Sequence, residues 1–115
     1  TGQPKAQIVI SEQGGVLSGR IEKLLRPGAD PSAVCDRCSD DRKDQPIVGM
    51  EIIRGAKRAQ DDDAEHPVWT GGRILDPENG SSYALRLTPV DGGRKLDVRG
   101  SIGPFGRTQT WRRVD

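Results

Sequence analysis

The sequence is poor in the residues that usually build a core. It holds one Phe, one Tyr and two Trp, so aromatics are 3% of the chain, and hydrophobic residues together reach only 32%. There is one histidine, His66, and there are two cysteines, Cys35 and Cys38. Each scarcity excludes something. With a single histidine, any acid–base or nucleophilic scheme would have to use that residue or carboxylates alone. His66 precedes Pro67 at the rim of a strand, and no serine in a nucleophile-elbow setting accompanies it. No enzyme and no cofactor are therefore expected, and His66 reads as an exposed loop residue. Structural zinc needs four ligands, which two cysteines and one histidine do not supply in one chain, so no metal site is expected. Charge of one sign is missing as well: 18 Lys and Arg stand against 17 Asp and Glu, a net charge of +1. Capture of nucleic acid needs a basic stripe, and the only basic cluster, Arg107, Arg112 and Arg113 beside Trp111, is small. No nucleic-acid partner is expected. No apolar run approaches the length of a membrane span.

What is present is alternation. A chain of 115 residues is one domain by the usual length prior, and it buries roughly two-thirds of its unfolded surface. Its 30% of charged residues would by itself suggest disorder, but the net charge is near zero and the apolar residues recur with period two. Ala6, Ile8 and Ile10 share a face before the turn Gly14-Gly15. Val16 to about Leu25 follows, with Leu17, Ile21 and Leu25 on one side. A third strand is expected between Ile47 and Gly55, a fourth from Val68 to Leu75 and a fifth from Ser82 to Thr88. The last two are joined by Asp76-Pro77-Glu78-Asn79-Gly80, where Asn-Gly supplies the positive φ of a tight turn. Lys95 to Ile102, after Asp91-Gly92-Gly93, is a sixth strand and Arg107 to Val114 a seventh. Seven short strands with turn residues between them predict an all-β fold, an antiparallel meander. Closure into a β-barrel, favoured over a sandwich, would remove its edges. The expected inward face is small and aliphatic: Ala6, Ile8, Leu17, Gly19, Ile74, Leu85, Leu87, Leu96, Val98 and Gly100.

Two segments interrupt the meander. Asp61, Asp62, Asp63 and Glu65 form an acidic run that lacks the spacing and the glycine of a calcium loop, so it reads as a solvated loop. The connection from Arg26 to Pro46 is long for a compact domain. Asp30-Pro31 resembles an N-cap followed by proline at the first helical position, so a short helical turn is expected near Ser32 to Cys38. Cys35-Asp36-Arg37-Cys38 within it has three readings: a local disulfide, a redox dithiol or half of a metal site. The disulfide is preferred, because no strand–helix setting that would activate a thiol accompanies the pair.

The tail from Gly100 to Trp111 is the most distinctive stretch. On the last strand Arg107, Gln109 and Trp111 point one way, Thr108 and Thr110 the other. Tryptophan and tyrosine beside arginine and glutamine could line a ligand pocket, and the candidate lining is Trp69, Tyr83, Arg99, Arg107, Gln109 and Trp111. The structural alternative is that Trp111 plugs one barrel end and Arg107 stacks over it.

Several motifs carry a family resemblance. Trp-x-Gly-Gly-x-Ile-x-Asp-Pro-x-x-Gly at 69–80, Leu-x-Val-Arg-Gly at 96–100 and Gly-Arg-Thr-Gln-Thr-Trp at 106–111 resemble the bacterial domain of unknown function 2147 family. Pro46-Ile47-Val48-Gly49-Met50 is similar to its Pro-Leu-Leu-Gly-Leu segment. The resemblance spans nearly the whole chain. It implies a lipocalin-like barrel and export to the periplasm or beyond, and no assigned activity. Members usually begin with a strand carrying Gly-x-Trp, whereas this sequence starts just after that point at Thr1-Gly2-Gln3-Pro4, without methionine, as expected of a chain whose signal peptide is removed or which has been trimmed. Many members also carry a cysteine pair in the first hairpin, where this chain has Ser18 and no cysteine. The resulting expectation is a periplasmic or secreted module that binds a small, partly apolar ligand, gated by the long connection. The alternative is an envelope interaction module without a small ligand, and a homodimer through strand edges is one form of it. The first and last strands would be those edges, with Pro4 and Lys5 protecting little of the first.

Overall fold

A computed structural model describes residues 6–26, 28–59 and 67–113. Pro4, Lys5, the acidic run 61–65, His66 and Val114 lie outside the described residues. Seven strands form one antiparallel sheet in sequence order: β1 (Ala6–Gln13), β2 (Val16–Leu24), β3 (Glu51–Arg58), β4 (Trp69–Asp76), β5 (Ser81–Val90), β6 (Lys95–Ile102) and β7 (Phe105–Arg112). The meander expected from alternation is the observed topology. The seventh strand starts at Phe105 rather than Arg107, and the third at Glu51 rather than near Ile47. Before that point the chain is committed elsewhere. Pro46 has no N–H to give a ladder, the N–H of Ile47 donates to Ala33 O, and Gly49 N–H donates to Ile21 O at 2.7 Å.

The inward face lies where the alternation places it. Leu85, Leu87 and Val98 are buried, and Ala6, Ile8, Leu17, Ile74 and Leu96 pack half-buried against the same cluster. Ile53, fully buried, sits opposite both Gly19 and Ile74 and forms the centre of this face. The sheet curls around it without closing. Among the described residues β1 pairs only with β2 and β7 only with β6, so the structure is a curled half-barrel with two unpaired edges. Among the described residues the first and last strands run in the same direction, so they would not complete an antiparallel ring with each other.

The long connection is not a loose lid. Ile52 and Leu75 flank the Ile53–Ile74 pair, so alternation turns them to the outer side of the sheet, yet both are buried, in one cluster with Cys35, Cys38 and Met50. Residues 28–50 therefore form a partial second layer over β3 and β4. Cys35 and Cys38 are joined by a disulfide and are 0% and 3% exposed. The short helical turn expected near Ser32–Cys38 shrinks to one hydrogen-bonded turn. Asp30 Oδ1 does accept from the N–H of Ser32 at 2.8 Å, and Ala33 N–H reaches Asp30 O at 3.1 Å. The chain then straightens, because Cys35 N–H donates to Gln45 O and Val34 bridges to Pro46 in antiparallel fashion. That bridge takes the donors a helix would need.

The β4–β5 hairpin seats against this layer. Its loop is four residues, 77–80, rather than a two-residue Asn-Gly turn, with Gly80 N–H donating to Asp76 O at 2.8 Å. Asn79 serves as a cap, its Oδ1 accepting from the N–H of Ser81, and Gly80 alone in the loop has positive φ, +75°. The backbone of Arg37 lies directly over Gly80.

Candidate functional site

Register decides which of the six candidate residues meet. Trp69 stands opposite Leu87, Leu87 opposite Val98 and Val98 opposite Gln109, so one row crosses four strands on the concave face. The next row is Pro89, Leu96 and Trp111; the row on the other side brings Leu85, Gly100 and Arg107 into line. Three strand spacings separate Trp69 from Gln109, about 14 Å along the sheet and less across its curl. Tyr83 lies on this face too, opposite Ile74 and across Gly100, where a Cβ would stand 3.3 Å from that of Tyr83. Its hydroxyl oxygen accepts from Asn79 Nδ2 at 3.3 Å. Trp69, Tyr83, Arg107, Gln109 and Trp111 thus share one surface. Arg99 does not: it faces outward beside Thr108, whose Oγ1 accepts from its guanidinium at 3.3 Å. The tryptophans are half-buried against the core while Arg107 and Gln109 are exposed. The face thus grades from apolar to polar toward the β7 edge.

A chain that reverses at every strand places its connections alternately at two ends. The long connection and the loops after β4 and β6 lie at one end, while Trp69, which opens β4, and Trp111, near the close of β7, lie at the other. The gating expected of the long connection does not occur over these tryptophans. A shallow, open depression of about 320 Å³ does exist within the long connection, lined by residues including Asp41, Arg42, Gln45, Val48 and Met50. It includes none of the six.

The comparisons with known proteins agree with this architecture. The family described as "uncharacterized protein conserved in bacteria (DUF2147)" matches residues 1–113. The chain belongs to DUF2147. No curated protein matches it. Among solved structures it is similar to a protein from the human pathogen Helicobacter pylori described as belonging to the lipocalin family. That TM-score is 0.78 at 16% identity, over 96% of this chain and 73% of the other. The likeness is one of fold: this DUF2147 chain is a lipocalin-like, all-β curled sheet.

What sequence reasoning missed in this DUF2147 protein is a polar lock between the second layer and β3. Arg42 is buried, at 9% exposure, which requires its charge to be matched. Its Nε donates to both carboxylate oxygens of Asp40 at 3.1 Å, and its Nη1 donates to Glu51 O at 2.9 Å. Arg54 grips Asp41 with two parallel hydrogen bonds of 3.0 and 2.9 Å, and its Nε donates to Glu51 Oε1 at 2.6 Å. The hydrogen bonds from the Arg42 side chain and backbone hold the Asp40 carboxyl down at about 2, and those from Arg54 lower Asp41. The signal in sequence was the run Asp40-Asp41-Arg42, which by itself reads as an ordinary solvated charge cluster.

The lock is expected to be acid-sensitive. Both carboxyls bind protons less readily folded than unfolded, so their contribution is present above the unfolded carboxylate range, pH ~4, and is lost as pH falls below it, for Asp40 toward about 2. Amide protection factors of Cys35 and Ile47 should fall between pH 5 and pH 2.5, measured by hydrogen exchange, before that of Leu87 does. The Asp40→Asn, Asp41→Asn double variant should show the lower protection already at pH 5. Parallel loss at all three amides would mean that the layer does not open separately.

Proposed function

We propose that this protein is an exported bacterial module that binds a small, partly apolar ligand on the concave face of its half-barrel. The observation that carries the reading is that Trp69, Tyr83, Arg107, Gln109 and Trp111 share the concave face, Arg107 and Gln109 exposed and the three aromatics half-buried around its buried centre. A flat apolar body would lie against the indoles, and an acidic or hydrogen-bonding group would turn toward Arg107 and Gln109. The lipocalin-like fold supports binding rather than catalysis. The Cys35–Cys38 disulfide supports an oxidising compartment, the periplasm or the exterior. Titration with 1-anilinonaphthalene-8-sulfonate, an apolar body bearing one anionic group, tests it through indole quenching. Trp111→Ala and Arg107→Ala should each weaken binding by about fivefold to tenfold, the equivalent of one lost side-chain contact. Affinity unchanged from the wild type in both variants would remove the concave face from consideration, as would binding that follows the depression beside Arg42. Native mass spectrometry of protein taken from its own cells would then identify the natural occupant.

A second reading rests on the edges of β1 and β7, which have no partner strand among the described residues. A row of free N–H and C=O groups is a template for another strand, so the protein could act as an envelope interaction module, with itself as one partner. Sedimentation equilibrium should then show association that grows with concentration. A monomer at every concentration, with an unchanged melting temperature, would count against the edges as a docking site.

A further inference from the structure

Alternation hides a charged surface that only the strand register assembles. Lys95 stands directly opposite Arg112, Arg86 opposite Arg99 and Arg54 opposite Arg73, all on the outer face of the sheet. Like charges facing each other across an antiparallel pair are destabilising, and Arg54 alone of these six is held in the lock with Asp41 and Glu51. On the outer face of β5–β7, among the described residues, four cations (Arg86, Lys95, Arg99, Arg112) accompany one carboxylate, that of Asp97, which already accepts from Thr110 Oγ1 at 2.8 Å. The carboxylates that balance the net charge include Asp40 and Asp41, on the β3 side of the molecule.

A second observation lies at the edge of this wall. Ile102 and Phe105 face each other across the β6–β7 turn and are 57% and 79% exposed, the two most exposed large apolar side chains among the described residues. The Arg99 guanidinium lies over Gly106, the residue after Phe105. Arg107 is exposed on the other face of the same strand. An aromatic and a branched aliphatic residue at a tip, flanked on both sides by arginines, fit the boundary between lipid headgroups and acyl chains.

We propose that the β5–β7 wall and the Ile102–Phe105 tip dock this protein on the surface of an anionic lipid bilayer. The tip enters the interfacial layer, Arg86 and Arg99 meet lipid phosphates, and the β3 side, where Asp40 and Asp41 are paired with Arg42 and Arg54, turns away, which fixes one orientation. This is surface attachment; among the described residues no helix is long and apolar enough to cross a membrane. Co-sedimentation with vesicles tests it, using phosphatidylcholine alone and phosphatidylcholine with about a third phosphatidylglycerol. Binding to the mixed vesicles should exceed that to neutral ones by about tenfold or more and weaken with added salt. Phe105→Asp should reduce it about tenfold, and the Arg86→Glu, Arg99→Glu pair should reduce it at least as far, with far-ultraviolet circular dichroism unchanged. Failure to bind the mixed vesicles at low salt, equal binding to neutral vesicles, or binding indifferent to Phe105→Asp would each overturn the proposal. The last outcome would assign the wall to soluble polyanions instead.

Discussion

Replacing Gly80 with valine should cost about 3 kcal/mol or more, for two reasons that add. The residue sits at φ +75°, where a β-branched side chain is strongly disfavoured. A Cβ there would also stand 2.0 Å from Arg37 O and 2.5 Å from Arg37 C, both backbone atoms that no rotamer change can move. The hairpin loop and the second layer cannot then both keep their places, so the buried disulfide and Leu75 lose cover together. Urea unfolding measures the loss, and Gly80→Asn separates its two sources. Asparagine tolerates the left-handed conformation but brings the same Cβ. If the asparagine variant regains most of the stability, φ dominates; if it is as poor as valine, the contact with Arg37 does. A midpoint unchanged in both would mean that the loop does not seat on Arg37 at all.

Replacing both cysteines with serine is the second large effect, expected at about 4 kcal/mol or more. The ring closed by Cys35 and Cys38 is short, with a sequence separation of 3, so the restraint on the unfolded chain is worth only about 2 kcal/mol. The remainder comes from where the sulfurs lie. Both residues are buried in the core cluster, and a hydroxyl left there without a partner costs about 1–3 kcal/mol, although one at position 35 would have Pro77 O, 3.7 Å from Cys35 Sγ, as a nearby acceptor. The Cys35→Ala, Cys38→Ala variant removes the covalent restraint without adding a polar group, so it should lose only about half as much. Equal losses in the two double variants would show the restraint to be the whole effect. Thiol labelling of the denatured, unreduced wild type should find no free cysteine.

Much of this architecture is legible in the order of the amino acids. The period-two blocks around Ile8, Leu17, Leu85 and Val98 dictate strands and a buried face, because alternate side chains of a strand must part to opposite sides. The turn residues set the strand order, since short links join only antiparallel neighbours. Gly80 announces its positive φ through the Asn79-Gly80 pair, and the spacing of Arg107, Gln109 and Trp111 places them on one face. Arg99 is the exception among the six candidates, because its chemistry suits a pocket but its parity does not. Val98, its neighbour, faces inward, and Arg99 must therefore face out.

What the sequence by itself determined was everything that repeats locally: the strands, their order and the inward set; the Cys35–Cys38 disulfide was only the preferred of three readings until the structure joined the pair. The tertiary structure decided what depends on residues far apart in the chain. Burial of Arg42 and of both cysteines follows from the folding of residues 28–50 onto the back of β3 and β4, which no local pattern records. The opposed cations of β3–β4 and β5–β7 arise from register between strands, not from clustering in sequence, so a chain of net charge +1 still presents a cationic wall. The open seam likewise belongs to the whole sheet. Each strand pairs with its sequence neighbours, and among the described residues β1 and β7 run in the same direction, each with one edge unpaired.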